Sequence, residues 1–175
     1  RITSWKGQLE FIDVIKKIDT QNILVLFAGD TKNESYTKLV QDKIKQNNLE
    51  NVCKILGRVN QDEMRSLYQI AELSVSFPLR AEGFGRTVSE SLYSKTPVLA
   101  FDYGGVKNQL ANLSDMFKVK PQDFQVLPVK IEKLLSLSEV EKKEVLEGVQ
   151  SVIESNFSKI NMVKQYLKLY ESFKS

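Results

Sequence analysis

Four apolar runs decide what this chain can fold into. They lie at residues 23–28, 52–56, 73–77 and 97–101, and each stops at a turn built from Gly or Pro: Gly29-Asp30, Gly57-Arg58, Pro78 and Asp102-Tyr103-Gly104-Gly105. Near-continuous apolar runs of this length read as strands covered on both faces, the pattern of a parallel sheet. A short fifth strand is expected at 116–119. Helical periodicity fills the intervals, because a parallel crossover must carry the chain back to the same end of the sheet. Leu9, Ile12, Ile15 and Ile18 share one face of a helix over 8–18, and Leu39, Val40 and Ile44 form the inner face of one over 36–46. Asn60 and Glu63 stand at capping-box spacing before a helix over 61–70, which is expected to bury Met64, Leu67 and Tyr68. Short helices are expected at 88–93 and 106–111. Next comes a helix over 123–135 with Pro128 in or just before its first turn, then one opened by a Ser138/Glu141 capping box and running to about 155. A last helix over 158–173 carries Ile160, Val163, Leu167 and Tyr170 on one face. The class is α/β, a parallel sheet flanked by helices, with helices at the carboxyl end; residues 1–175 read as one domain.

The turn after the third run concentrates the chemistry. It reads Arg80-Ala81-Glu82-Gly83-Phe84-Gly85-Arg86-Thr87-Val88-Ser89-Glu90 and leads straight into a helix. Parallel sheets bind ligands at the carboxyl ends of their strands, where such turns cluster. Two glycines let the backbone approach a ligand closely. The helix start offers free N–H groups and about half a positive charge, which suits phosphate. Two carboxylates beside phosphate repel it unless they accept hydroxyl donors instead, as from a sugar and a ribose. A Gly-x-Gly turn alone specifies little, and Glu90 alone reads as a solvated helix residue. It is the pair of glutamates around Gly-Phe-Gly that narrows the choice.

Composition removes other chemistries. There is no histidine, so a Ser-His-Asp triad and His metal ligands are excluded, and one cysteine, Cys53, builds neither a disulfide nor a zinc site. No metal site is expected. A net charge of +3 does not argue for nucleic acid. No apolar run reaches the roughly 18 residues of a membrane span, and no signal peptide is visible. A lone cysteine fits a reducing, cytoplasmic compartment. The chain starts at Arg1, not Met, and so reads as a processed or cut piece.

Glu82-Gly83-Phe84-Gly85 followed by Glu90 resembles the signature of the group 1, family-four retaining glycosyltransferases, hexosyltransferases of the GT-B fold. The resemblance extends over nearly the whole chain. Arg1 and Lys6-Gly7 are similar to the family's opening motif, and the resemblance implies that these two cations hold the donor diphosphate, with Thr87 and Val88 as the helix start beneath it. Fixed cations at a helix N-terminus clamp a diphosphate without a metal or cofactor, the nucleoside-diphosphate sugar being substrate. Ala28-Gly29-Asp30 resembles a strand end at which Gly29 admits the donor. Gly57, Arg58 and Val59 resemble the segment lining the nucleobase. By the same resemblance, Glu82 is the catalytic residue that orients the donor sugar near its reacting carbon, together with Gly83, Phe84 and Gly85, and Glu90 binds the ribose hydroxyls. Arg86 is read as balancing the glutamates.

The chain departs from the family in three places. Lys95 replaces a helix-ending glycine, so the helix stop must be built otherwise. Asn108 stands where a glutamate is usual. A buried mid-sheet strand leads into the family's Arg, and only its tail can be present here. The resemblance covers the carboxyl-terminal, donor-binding half of a GT-B enzyme; the acceptor-binding amino-terminal domain is absent from this sequence, and the fragment alone is expected to be inactive. The last helix resembles one that packs across to that domain, so its apolar face is expected to be exposed. Any membrane contact is expected through the complete enzyme. Polysaccharide or lipopolysaccharide synthesis is the setting by analogy. Two alternatives are a non-catalytic nucleotide-sugar binding module and one half of a nucleotide-sugar epimerase.

Overall fold

A computed structural model describes residues 1–173. Among these, the strands form where the apolar runs set them: β1 (Val25–Ala28), β2 (Cys53–Gly57), β3 (Ser74–Ser76), β4 (Val98–Phe101) and β5 (Lys118–Val119), all paired in parallel. The helices are α1 (Gln8–Ile15), α2 (Glu34–Gln46), α3 (Gln61–Ile70), α4 (Arg86–Tyr93), α5 (Gly105–Leu110), α6 (Leu127–Leu135), α7 (Glu139–Val145), α8 (Val149–Phe157) and α9 (Lys159–Ser172). β4 is buried at every position and lies at the centre of the ladder β3-β4-β5. Phe77, Phe101 and Phe124 stack around it with ring centroids 5.2–6.4 Å apart. Each fully buried side chain of this kind contributes about 1.5–3 kcal/mol of transfer free energy.

The sheet is divided. β1 pairs with β2, and β3-β4-β5 form a separate ladder. A cavity of about 570 Å³ is lined by β1 and β3 together. The division falls beside Arg1, and residues 1–6 bridge the carboxyl ends of the two ladders. Ile2 N–H donates to the Asp30 carbonyl at 2.9 Å, and Leu79 N–H donates to the Trp5 carbonyl at 2.7 Å. Gly29 permits this crossing, since a Cβ there would lie 2.5 Å from the Arg1 nitrogen.

Several expectations are corrected. The helix expected from the Ser138/Glu141 capping box to about 155 is two helices. The box forms, but Gly148 turns the chain left-handed (φ 72°) between α7 and α8. Leu39 is 55% exposed, and Tyr36 joins Val40 and Ile44 on the inner face of α2 instead. α1 stops at Ile15, three residues short, although Ile18 is still buried. Of the α3 trio only Tyr68 is buried, while Met64 and Leu67 are partly exposed along cavity walls. The Asn60/Glu63 capping box is present in both directions.

α4 fixes the site, and its own position is set by burial. Val88, Ser91 and Leu92 are its buried face. At its carboxyl end Thr96 N–H donates to the Ser91 carbonyl and Lys95 N–H to the Leu92 carbonyl, a Schellman stop. The left-handed residue of that motif is Lys95 itself (φ 61°), so the stop survives without glycine.

Candidate active site at the carboxyl end of the sheet

Three segments meet beyond the carboxyl end of β3. The first is the 3₁₀ turn Ser4–Lys6, which ends on left-handed Gly7 (φ 76°). Any Cβ at Gly7 would fall 2.2 Å from the Phe77 carbonyl oxygen, so this turn can sit on the strand end only with glycine there. The second is the loop 78–85, and the third the turn 102–105. Their meeting brings the Lys6 ammonium onto the Glu82 carboxylate. It also stacks that ammonium 4.5 Å from the centre of the Trp5 ring, a cation–π contact. The Glu82 side chain is 12% exposed, reachable from solvent and not in the core.

Gly85 caps α4 with a left-handed backbone (φ 81°) and no side-chain cap. Val88 is fully buried and its N–H already donates to the Gly85 carbonyl at 3.0 Å. This shifts the helix-start contribution from Val88 to Arg86 and Thr87, whose N–H groups precede it. Phe84 is 39% exposed and its ring packs edge-on against Phe157 of α8 at 5.7 Å.

Glu90 lies one helical turn beyond Arg86. The Arg86 guanidinium donates to Glu90 Oε1 at 2.8 and 3.2 Å, so it balances one of the two glutamates, and Lys6 holds the other, Glu82. Tyr68 donates its hydroxyl to Glu90 Oε2 at 3.5 Å. Burial, and then the charge of Glu90, push the Tyr68 hydroxyl pKa well above its ordinary value, so it stays a donor. Tyr103 donates to the Pro78 carbonyl, and burial followed by the Glu82 charge raises its pKa too.

Part of the candidate set lines two adjoining cavities, while Glu82, Gly83, Phe84, Gly85 and Val88 line neither. Arg1, Lys6 and Thr87 line the 570 Å³ cavity between the ladders. Arg58, Val59, Arg86 and Glu90 line a larger cavity of about 1110 Å³, to which Ile153, Glu154 and Phe157 of α8 also contribute. Tyr68 and Met64 belong to both. Gly57 (φ 73°) is not on the wall; it turns the chain from β2 toward Arg58, and its carbonyl accepts from Gly29 N–H at 2.8 Å. Tyr68 and Gln109, the latter donating to the Phe84 carbonyl, were not legible as site residues. Tyr68 sits on an apolar helix face like any core residue, and Gln109 belongs to no motif.

Among the described residues no group of three or more His, Cys, Asp or Glu is placed to hold a metal ion, and no helix is long and apolar enough to cross a membrane.

A parallel α/β layer with a Gly-Phe-Gly turn between paired acids is one Rossmann-like half of a GT-B glycosyltransferase fold. The chain belongs to the family described as Glycosyl transferases group 1, whose sequence model matches residues 1–147. It is 28% identical over 182 aligned positions to the trehalose synthase of Thermococcus litoralis, an alignment covering 99% of this chain and 43% of the relative. The crystal structure of a glycosyltransferase from Rickettsia africae superposes with a TM-score of 0.89 at 29% identity, over 98% of this chain and 45% of that one. Anabaena HepE, solved in complex with UDP-glucose, superposes with a TM-score of 0.86 at 23% identity, over 98% and 47%. The chain thus spans less than half the length of these relatives.

Proposed function

We propose that this chain is the donor-binding domain of a retaining glycosyltransferase. The complete protein moves a sugar from a nucleoside-diphosphate sugar to a hydroxyl of a saccharide or lipid-linked acceptor held by a separate amino-terminal domain. The observation that carries this reading is the placement of Lys6 on Glu82 at the mouth of the Gly-Phe-Gly turn, with Glu90 in the adjoining cavity. The UDP-glucose complex of HepE, on the same fold, supports it.

As the glycosidic bond breaks, negative charge collects on the leaving diphosphate. Lys6, held by Glu82 and the Trp5 ring, stands with Arg1 and the amides at the start of α4 to stabilise that charge, which is catalysis by electrostatics. Glu82 orients the sugar beside its reacting carbon and does not attack it. Glu90 accepts the ribose hydroxyls, and Arg58 and Val59 border the base. In this reading the charge is carried by cations and amides, with no metal cofactor. A cytoplasmic setting in polysaccharide or lipopolysaccharide synthesis rests on the family resemblance alone.

The test is a thermal-shift panel of UDP-, GDP- and ADP-sugars on the complete protein, followed by assay of sugar transfer. A true donor at a hundredfold excess over its dissociation constant stabilises the fold by about 2.7 kcal/mol. A panel in which no donor moves the melting temperature contradicts the donor assignment. A donor that binds without transfer to any acceptor marks a binding module instead.

A further inference from the structure

We infer that Gln109 is a positioning residue for the donor loop, holding the Phe84–Gly85 peptide so that the Gly85 N–H faces away from α5. This rests on the reading of residues 82–85 as the loop that meets the sugar. α5 grips that loop by its backbone. Gly105 N–H donates to the Glu82 carbonyl at 2.9 Å, and the Gln109 side-chain amide donates to the Phe84 carbonyl. The fit is close. A Cβ on Gly105 would lie 2.1 Å from the Gly83 carbonyl oxygen, and one on Gly85 would lie 2.3 Å from a Val106 methyl.

Peptide geometry turns these two bonds into an orientation. In a planar trans peptide the C=O and the following N–H point in opposite directions. With the Glu82 and Phe84 carbonyls turned onto α5, the N–H groups of Gly83 and Gly85 both point away from it. They form a pair of donors on the side of the loop away from α5, just ahead of the first turn of α4. Glycine backbone is otherwise free to rotate, so in an unpinned loop these donors would no longer be preorganised for the transition state.

Packing does not account for a glutamine here. Gln109 is 4% exposed, and its Oε1 is buried with no hydrogen-bond partner among the described residues. A methionine of the same length would fill the space without stranding an acceptor. Val106 and Leu110, 2% and 0% exposed, already anchor α5 to the core. The property that distinguishes Gln109 from its apolar neighbours is the N–H it gives to Phe84.

Gln109→Met and Gln109→Glu in the complete protein test this. Gln109→Met is expected to lower kcat at least tenfold while donor KM changes less than threefold and the melting temperature stays within a few degrees. Gln109→Glu keeps every heavy-atom position and can donate only when protonated. Its kcat should therefore recover as pH falls, a limb missing from the wild-type profile. Wild-type kcat in Gln109→Met, or a kcat loss that tracks a falling melting temperature, overturns the proposal. A second readout does not need turnover. In ¹⁵N-glycine-labelled protein, the Gly83 and Gly85 amide peaks should move in both variants while those of Gly29 and Gly57 stay. Unmoved Gly83 and Gly85 peaks overturn the proposal as well. A wild-type protein without sugar transfer would count against the function, yet these peaks would still decide the role of Gln109.

Discussion

The Lys6 ammonium rests on the Glu82 carboxylate, joining the turn before α1 to the turn before α4 across 76 residues of chain. The side chains are 24% and 12% exposed, so the pair is partly shielded from water. The reading of the site gives these two groups separate duties, one on the diphosphate and one on the sugar. Donor binding therefore exchanges their mutual contact for contacts with the ligand.

Removing one member leaves the other without its partner. Lys6→Met and Glu82→Gln are each expected to destabilise the fold by about 1.5 kcal/mol, the order of a hydrogen bond to a charged group. The double variant should cost less than the sum. Urea midpoints of the four proteins check this, and strictly additive costs would show that the pair contributes nothing. In turnover, Glu82→Ala should lower kcat at least tenfold, about 1.4 kcal/mol of transition-state stabilisation. Near-normal turnover would remove Glu82 from the mechanism.

Glu90 is held by Arg86 and Tyr68 with its carboxylate in the larger cavity. Glu90→Ala is expected to raise donor KM about tenfold and to erase the preference for a ribose over a deoxyribose donor, a bond worth about 1.5–3 kcal/mol. KM values for both donors, in both proteins, form the comparison. A variant that still discriminates does not use Glu90 for the ribose.

Lys95 occupies a left-handed position (φ 61°) at the end of α4. Relief of a left-handed side chain gains roughly 1–2 kcal/mol, and glycine's extra unfolded-state entropy takes back about 0.5–1. Lys95→Gly should raise the melting temperature by about 1–4 °C. A lower melting temperature would mean that the lysine side chain contributes contacts outweighing the strain.

Burial pushes the Cys53 thiol up to about 11. The folded state thus keeps its proton while the unfolded thiol loses it from about pH 9. Stability carried by this group is constant below that and falls as pH rises between the two values. At pH 8 native protein should resist iodoacetamide and label fully in denaturant. Rapid labelling of native protein would place the thiol outside the core.

The apolar runs made the strands and their order along the chain legible, although only β4 is buried at every position, and Leu26 of β1 and Leu56 of β2 are exposed. Capping boxes at Asn60 and Ser138 were legible because their bonds are local. The break at Gly148 was not, since one glycine is tolerated in a helix and tertiary packing decides whether the helix turns there. Leu39 obeyed the helical period yet faces solvent, because Tyr36 takes the inner position. The residue types at Lys6, Glu82 and Glu90 were readable from the motif. The contact between Lys6 and Glu82 was not, as it depends on how residues 1–6 cross between two ladders. Gln109 left no signal, since a side chain that acts through one backbone carbonyl needs no particular spacing.

The setting of β4 has a mechanical consequence. It has a parallel partner on each side and every one of its positions is sealed from water. Deuterium should reach its amides last, because any opening that bares them must undo the ladder β3-β4-β5 as a whole.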